Sequence, residues 1–147
     1  MVGLRYSVIG CDLTIQGNSF KEFTMYDVYA MATVCRKKDG YGLFMYVTSG
    51  DHNPPHVHIR DLDNNELAKM IITEETPKSV TDLFRVKGTD SLLTTKQKKA
   101  IVEWANSRCK IPGLQMYTNW QRTQIEWYGE NSEDDIFPSI SELTLQL

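Results

Sequence analysis

The chain has 147 residues, of which 41% are hydrophobic and 24% charged, and a formal net charge of −3. That length fits one domain with a core that needs no disulfide or metal staple, and the composition excludes wholesale disorder. The slight acidic balance gives no global reason to expect nucleic acid or an anionic membrane as partner, and no run approaches the ~20 apolar residues that span a bilayer. The start, "MVGLRYSVIGCDLTIQGNSF", lacks the apolar stretch of a secretory signal. Cys11, Cys35 and Cys109 are odd in number, scattered and without a CxxC. They read as buried thiols, and a cytoplasmic location with no membrane partner is expected.

In chain order, "LRYSVIG" and "DLTIQG" are short β-like runs that can form a hairpin. "NSFKEFTMYDVYAMATVC" is ambiguous: a short helix or turn, then a strand ending near Cys35. Asp39-Gly40 marks a turn. Leu43 to Val47 is a continuous apolar run suited to a central strand. "SGDHNPP" is a loop, because two successive prolines cannot donate to a ladder. "HVHIR" alternates, with Val57 and Ile59 on one face and His56, His58 and Arg60 on the other. "DLDNNE" is a turn, "ELAKMIIT" a strand, and "VTDLFRVKG" a weaker strand ending at Gly88.

Thr94 or Thr95 caps a helix, "KQKKAIVEWANSRCK", with Ile101, Trp104, Ala105 and Arg108 on one face and "IPG" as its stop. A second helix runs from Met116 or Thr118 through Trp127, with Trp120, Thr123 or Gln124, and Trp127 on one face. The tail from residue 129 is acidic, then weakly β-like. The fold class that follows is α+β: a small antiparallel sheet of four to five strands with two C-terminal helices packed on one face. Residues 1–147 read as a single domain.

Charge is uneven. Lys96, Lys98, Lys99, Arg108 and Lys110 face only Glu103 across residues 96–110, whereas the charges from Glu126 to Glu142 are all negative. Lys96, Lys98 and Lys99 sit in the first turns of a helix, where the macrodipole disfavours cations. They form either a solvated face or a patch for a nucleic-acid backbone.

All three histidines, His52, His56 and His58, fall in "GDHNPPHVHIR". On a strand, His56 and His58 share a face with Cα atoms roughly 6.5–7 Å apart. Polyproline geometry at Pro54-Pro55 puts His52 up to ~12 Å from His56. A histidine places a metal roughly 6 Å from its own Cα, so all three can meet one ion, with Asp51 or a distant carboxylate as fourth ligand. Three imidazoles suit zinc, nickel, iron or copper. A metal-free reading makes His56 and His58 general acid and base, with Arg60, and Tyr46 from the neighbouring strand, holding phosphate. A third makes the stretch a rigid corner before an exposed polar strand face. The cupin pattern fits only in part: Gly50 through His58 match its first motif, but the following glutamate and a later histidine are missing.

"GYGLFMYVTSGDHNPPHVHIR" resembles the bacterial domain of unknown function 4160 family, whose hallmark is Asp/Glu-His-Asn-Pro-Pro-His-x-His after an aromatic-rich strand. Asp51, His52, Asn53, Pro54, Pro55, His56 and His58 match it. "NELAKMIIT", "KAIVEWANSR" and "TNWQRTQIEW" resemble the strand and helices that follow, so residues 31–128 are similar to the family core. Residues 1–30 then form an N-terminal extension and 129–147 an acidic tail. The resemblance implies a cytosolic prokaryotic protein. It also implies a cognate protein partner and a nucleic-acid target in the style of toxin–antitoxin pairs. Two functional expectations stand. In one, a nucleic-acid module acts through His56, His58 and Arg60 with help from Lys96, Lys98 and Lys99. In the other, a non-catalytic metal-binding or protein-interaction domain uses Asp51, His52, His56 and His58 to hold zinc or nickel.

Overall fold

Turn chemistry sets the path of the sheet. Gly40, at φ 93°, ends a single 3-10 turn at Lys37–Asp39 and reverses the chain between β1, Met31–Cys35, and β2, Phe44–Thr48. Asn64 at φ 69° and the Asp61 carboxylate, which accepts from the N–H groups of Asp63 and Asn65, do the same between β3, His56–Arg60, and β4, Glu66–Ile71. A computed structural model describes residues 31–51 and 54–147 and shows these strands as one antiparallel sheet in the order β1-β2-β3-β4. The expected hairpin in residues 1–18, the helix or turn after it, and His52 lie outside the described residues.

Register puts Met45, Ile59 and Ala68 in one row and Val57 beside Met70 in the next. These side chains are buried, and both helices pack on their face. Helix α1, Thr95–Asn106, contributes Ile101 and Trp104; α2, Asn119–Glu130, contributes Trp120 and Trp127. The indoles lose no hydrogen bond on burial. Trp104 Nε1 donates to the Val34 carbonyl at 3.2 Å and Trp120 Nε1 to the Thr73 carbonyl at 3.0 Å. Both helices open with a capping box, Thr94 with Gln97 and Thr118 with Gln121, each cap worth about 1 kcal/mol.

Two elements differ from the sequence expectation. Helix α1 ends at Asn106, short of "SRCK". Ser107 turns extended, the Cys109 N–H donates to the Tyr117 carbonyl, and the Asn119 N–H donates to the Ser107 carbonyl. Pairing with the residues before α2 outcompetes another helical turn, and it takes Arg108 off the helix face. The "VTDLFRVKG" stretch forms a 3-10 turn, Val80–Asp82, and then runs along β4 without becoming a regular strand. The Ile71 N–H donates to the Phe84 carbonyl and the Val86 N–H to the Lys69 carbonyl. The tail returns as the next layer outward: the Arg85 N–H donates to the Leu145 carbonyl, and the Leu147 N–H to the Leu83 carbonyl. No helix among the described residues is long and apolar enough to cross a membrane.

Candidate metal centre

Alternation along β3 buries Val57 and Ile59 in the helix-covered core and sends His56, His58 and Arg60 to the other face. Cross-strand register then aligns the neighbours. Tyr46 of β2 pairs with His58, Phe44 with Arg60, and Lys69 of β4 lies on the far side of His58. The His58 ring stacks on Tyr46, with centroids 4.9 Å apart and planes at 10°. The Arg60 guanidinium lies 5.5 Å from the centroid of the same tyrosine ring. This face is not uniformly wet, as an exposed polar strand would be. His56 is only 6% exposed, edge-on to His58 and 5.7 Å from the Trp127 ring of α2.

Asp51 joins the histidines from the loop after β2. Its Oδ2 accepts from the Thr48 hydroxyl at 2.5 Å, lies 2.9 Å from His58 Nε2, and is 3.6 Å from His56 Nε2. Asn131, at the C-terminal end of α2, clamps this loop from the other side. Its Oδ1 accepts from the Asp51 N–H at 3.2 Å and its Nδ2 donates to the Thr48 carbonyl at 3.1 Å. The sequence pointed to Asp51, His56 and His58 but not to Thr48, Trp127 or Asn131, which reach the site across the fold.

The protonation of His56 follows from its partners. Nδ1 is 2.8 Å from the Pro54 carbonyl oxygen. A carbonyl can only accept, so Nδ1 carries the proton and the Nε2 of the neutral ring presents a lone pair toward Asp51. Burial keeps the imidazole neutral, lowering its pKa against the opposing pull of the Pro54 carbonyl and Asp51. For Asp51, burial raises the carboxyl pKa, but the hydrogen bonds from Thr48 and His58 help carry it below the usual value. The Tyr46 phenol is raised by burial, with Arg60 opposing.

One ligand atom from each of Asp51, His56 and His58 lies within 4.8 Å of the others, a group able to hold a metal ion. A tetrahedral ion with ~2 Å bonds keeps its ligands about 3.3 Å apart, close to the 2.9 Å and 3.6 Å that separate Asp51 Oδ2 from the two Nε2 atoms. For His58 to ligate through Nε2 the ring would switch tautomer, its single proton moving from Nε2 to Nδ1. Arg60 shares the face without joining this group, and its Nε is buried without a hydrogen-bond partner. Lys96, Lys98 and Lys99 lie in the first turns of α1, which contributes Ile101 and Trp104 to the core and none of the side chains that contact the three candidate ligands.

Residues 40–121, more than half of the chain, match the model of a family described as Domain of unknown function (DUF4160). The chain belongs to this family. No curated protein and no solved structure matches it. The segment matched by the DUF4160 model carries all three candidate ligands, whereas Trp127 and Asn131, which pack against them, lie beyond it.

Proposed function

We propose that this DUF4160 chain is a divalent transition-metal-binding domain in which Asp51, His56 and His58 hold zinc or nickel. The observation that carries the reading is the 2.8 Å contact between His56 Nδ1 and the Pro54 carbonyl oxygen, from which the tautomer follows. A backbone carbonyl holds Nδ1–H, as in histidines that ligate metal through the other nitrogen, and the free Nε2 is directed at the carboxylate that also meets His58. Two imidazoles and one carboxylate favour zinc or nickel over magnesium or calcium, which prefer oxygen. Three protein ligands leave a position for water or for a further side chain.

One observation weighs against phosphodiester chemistry assisted by the α1 lysines: among the described residues no hydrogen bond, ion pair or ring contact joins Lys96, Lys98 or Lys99 to Asp51, His56 or His58.

The test is elemental analysis of tag-free protein after exposure to zinc or nickel and dialysis. About one equivalent should be retained, and it should be lost in the Asp51→Ala, His58→Ala double variant. A parent that retains neither metal overturns the reading.

A further inference from the structure

A second feature lies apart from the histidines. A cavity of about 400 Å³ opens between the β1–β2 turn and the α1–α2 connection. Its size falls within the ~300–1,000 Å³ typical of small-molecule sites. Five cationic side chains line it, Arg36, Lys38, Arg108, Lys110 and Arg122, against the single carboxylate of Asp39. The concentration stands out in a chain whose net charge is −3.

The charges are only partly answered within the protein. Arg36 pairs with Asp39 at 2.9 Å and Arg122 with Glu126 at 3.0 Å. Arg108 commits Nη1 to the Met116 carbonyl at 2.6 Å and keeps its remaining N–H groups. Lys38 and Lys110 make no ion pair among the described residues, and both are exposed. Backbone structure brings these charges together. Had α1 continued through "SRCK", Arg108 and Lys110 would point along a helix. The extended Ser107–Cys109 turn instead carries them to the rim of the cavity. Like charges held at one rim repel one another, and an anion relieves that repulsion. The remaining lining mixes polar Thr33 and Asn119 with apolar and aromatic side chains, among them buried Val34 and Trp104 and half-buried Tyr41.

We propose that this cavity binds a small phosphorylated ligand, its phosphate held by Arg108, Lys110 and Arg122 and its organic body lying against Tyr41. Arginine forks match phosphate oxygens in pairs, and the lysines add point charge. A cavity that sets apolar and aromatic side chains beside its cations suits a phosphate ester better than a bare inorganic ion. Single-stranded RNA lying across the exposed cationic rim, without entering, is the competing occupant that the test must separate.

The experiment is calorimetric titration of the full chain, in low salt, with inorganic phosphate, adenosine, adenosine 5′-monophosphate and ribose 5-phosphate. Saturable one-to-one binding of at least one ester is expected, tighter than inorganic phosphate, with none for adenosine. Lys38→Glu, Lys110→Glu should weaken that ester by about tenfold or more, given charge-assisted contacts to phosphate. Lys96→Glu, Lys98→Glu makes the same change of net charge elsewhere and should shift it by less than about twofold. Circular dichroism checks that both variants fold. Exposed lysines without partners make folding defects unexpected, and Arg122→Gln supplies a second cavity variant. The proposal is overturned if neither ester binds, if the two double variants weaken binding equally, or if a single-stranded RNA binds more tightly than either ester. His56→Ala should leave ester affinity intact, so this site and the metal centre fail or stand separately.

Discussion

The Nδ1 of His56 sits 2.8 Å from the Pro54 carbonyl oxygen, two residues back along its own chain. Pro55 between them has no N–H and a fixed φ, so the segment that carries the carbonyl also fixes the direction in which β3 departs. The proline pair is therefore part of the donor geometry as well as a corner in the loop.

Replacing His56 should then cost both metal and stability. His56→Ala is expected to abolish retention of zinc or nickel. It should also lower the stability of the metal-free protein by about 1–3 kcal/mol, because a buried ring packed on Trp127 is lost and the Pro54 carbonyl is left unpaired. The half-buried His58 should cost less when truncated. Urea denaturation in chelator measures both, and equal, negligible losses would contradict the packing described for His56.

The metal-free protein should lose stability on acidification in two stages. His56 has a folded pKa below its ordinary 6.5, so the unfolded chain takes up its proton first. Its contribution is full above that value and disappears as pH falls through the folded one. Asp51, lowered from an ordinary 3.8, behaves likewise at lower pH. The urea midpoint should fall between pH 7.5 and 5.5 in the parent and change less in His56→Gln. A flat parent profile across that interval would contradict the assignment of a buried neutral imidazole.

Cys35 should be inert in the native state. It is fully buried, and burial pushes its thiol up to about 12, with Asp39 adding to the effect. Only the thiolate reacts. Iodoacetamide at pH 8 should leave Cys35 unmodified by peptide mass spectrometry and label it once urea is added.

Trp104 tests how the helices are docked. Trp104→Ala should cost roughly 3–5 kcal/mol as a large-to-small core change. Trp104→Phe should cost less, by removing the bond to the Val34 carbonyl and part of the ring. A melting point within a degree or two of the parent for Trp104→Ala would place the indole outside the core.

Much of the architecture is legible locally. Alternation in "HVHIR" assigns the two faces of β3, and Thr94 and Thr118 mark the helix starts because side-chain oxygens there satisfy N–H groups within three residues. What local pattern does not carry is competition from a distant partner. Tyr117 and Asn119 end α1 early, and the tail captures residues 83–85. At the site, periodicity shows which face His56 takes but not that Trp127 covers it. Asn131 acts on Asp51 from 80 residues away, beyond the reach of any spacing argument. The cationic cavity escaped for the same reason. Arg108 and Lys110 look like part of a helix face until the helix is seen to stop, and nothing in the sequence brings them to Arg36, Lys38 and Arg122.

The outermost layers of the sheet also constrain the order of folding. Strands β1 to β4 follow one another with short turns, so each pairs with a neighbour already near it. The strip at residues 83–85 instead awaits residues 145–147, and the Arg85 guanidinium contact to the Gln146 carbonyl spans 61 positions. Closing so long a loop costs entropy before any contact forms. During synthesis, the meander and its histidine corner can therefore assemble while the outer strip still lacks its partner. Until that partner leaves the ribosome, backbone groups of residues 83–85 are open to pairing with another chain. The interval before closure is when this protein is most exposed to misassembly, and a ribosome-stalled chain ending before residue 145 should display it as protease sensitivity at residues 80–88.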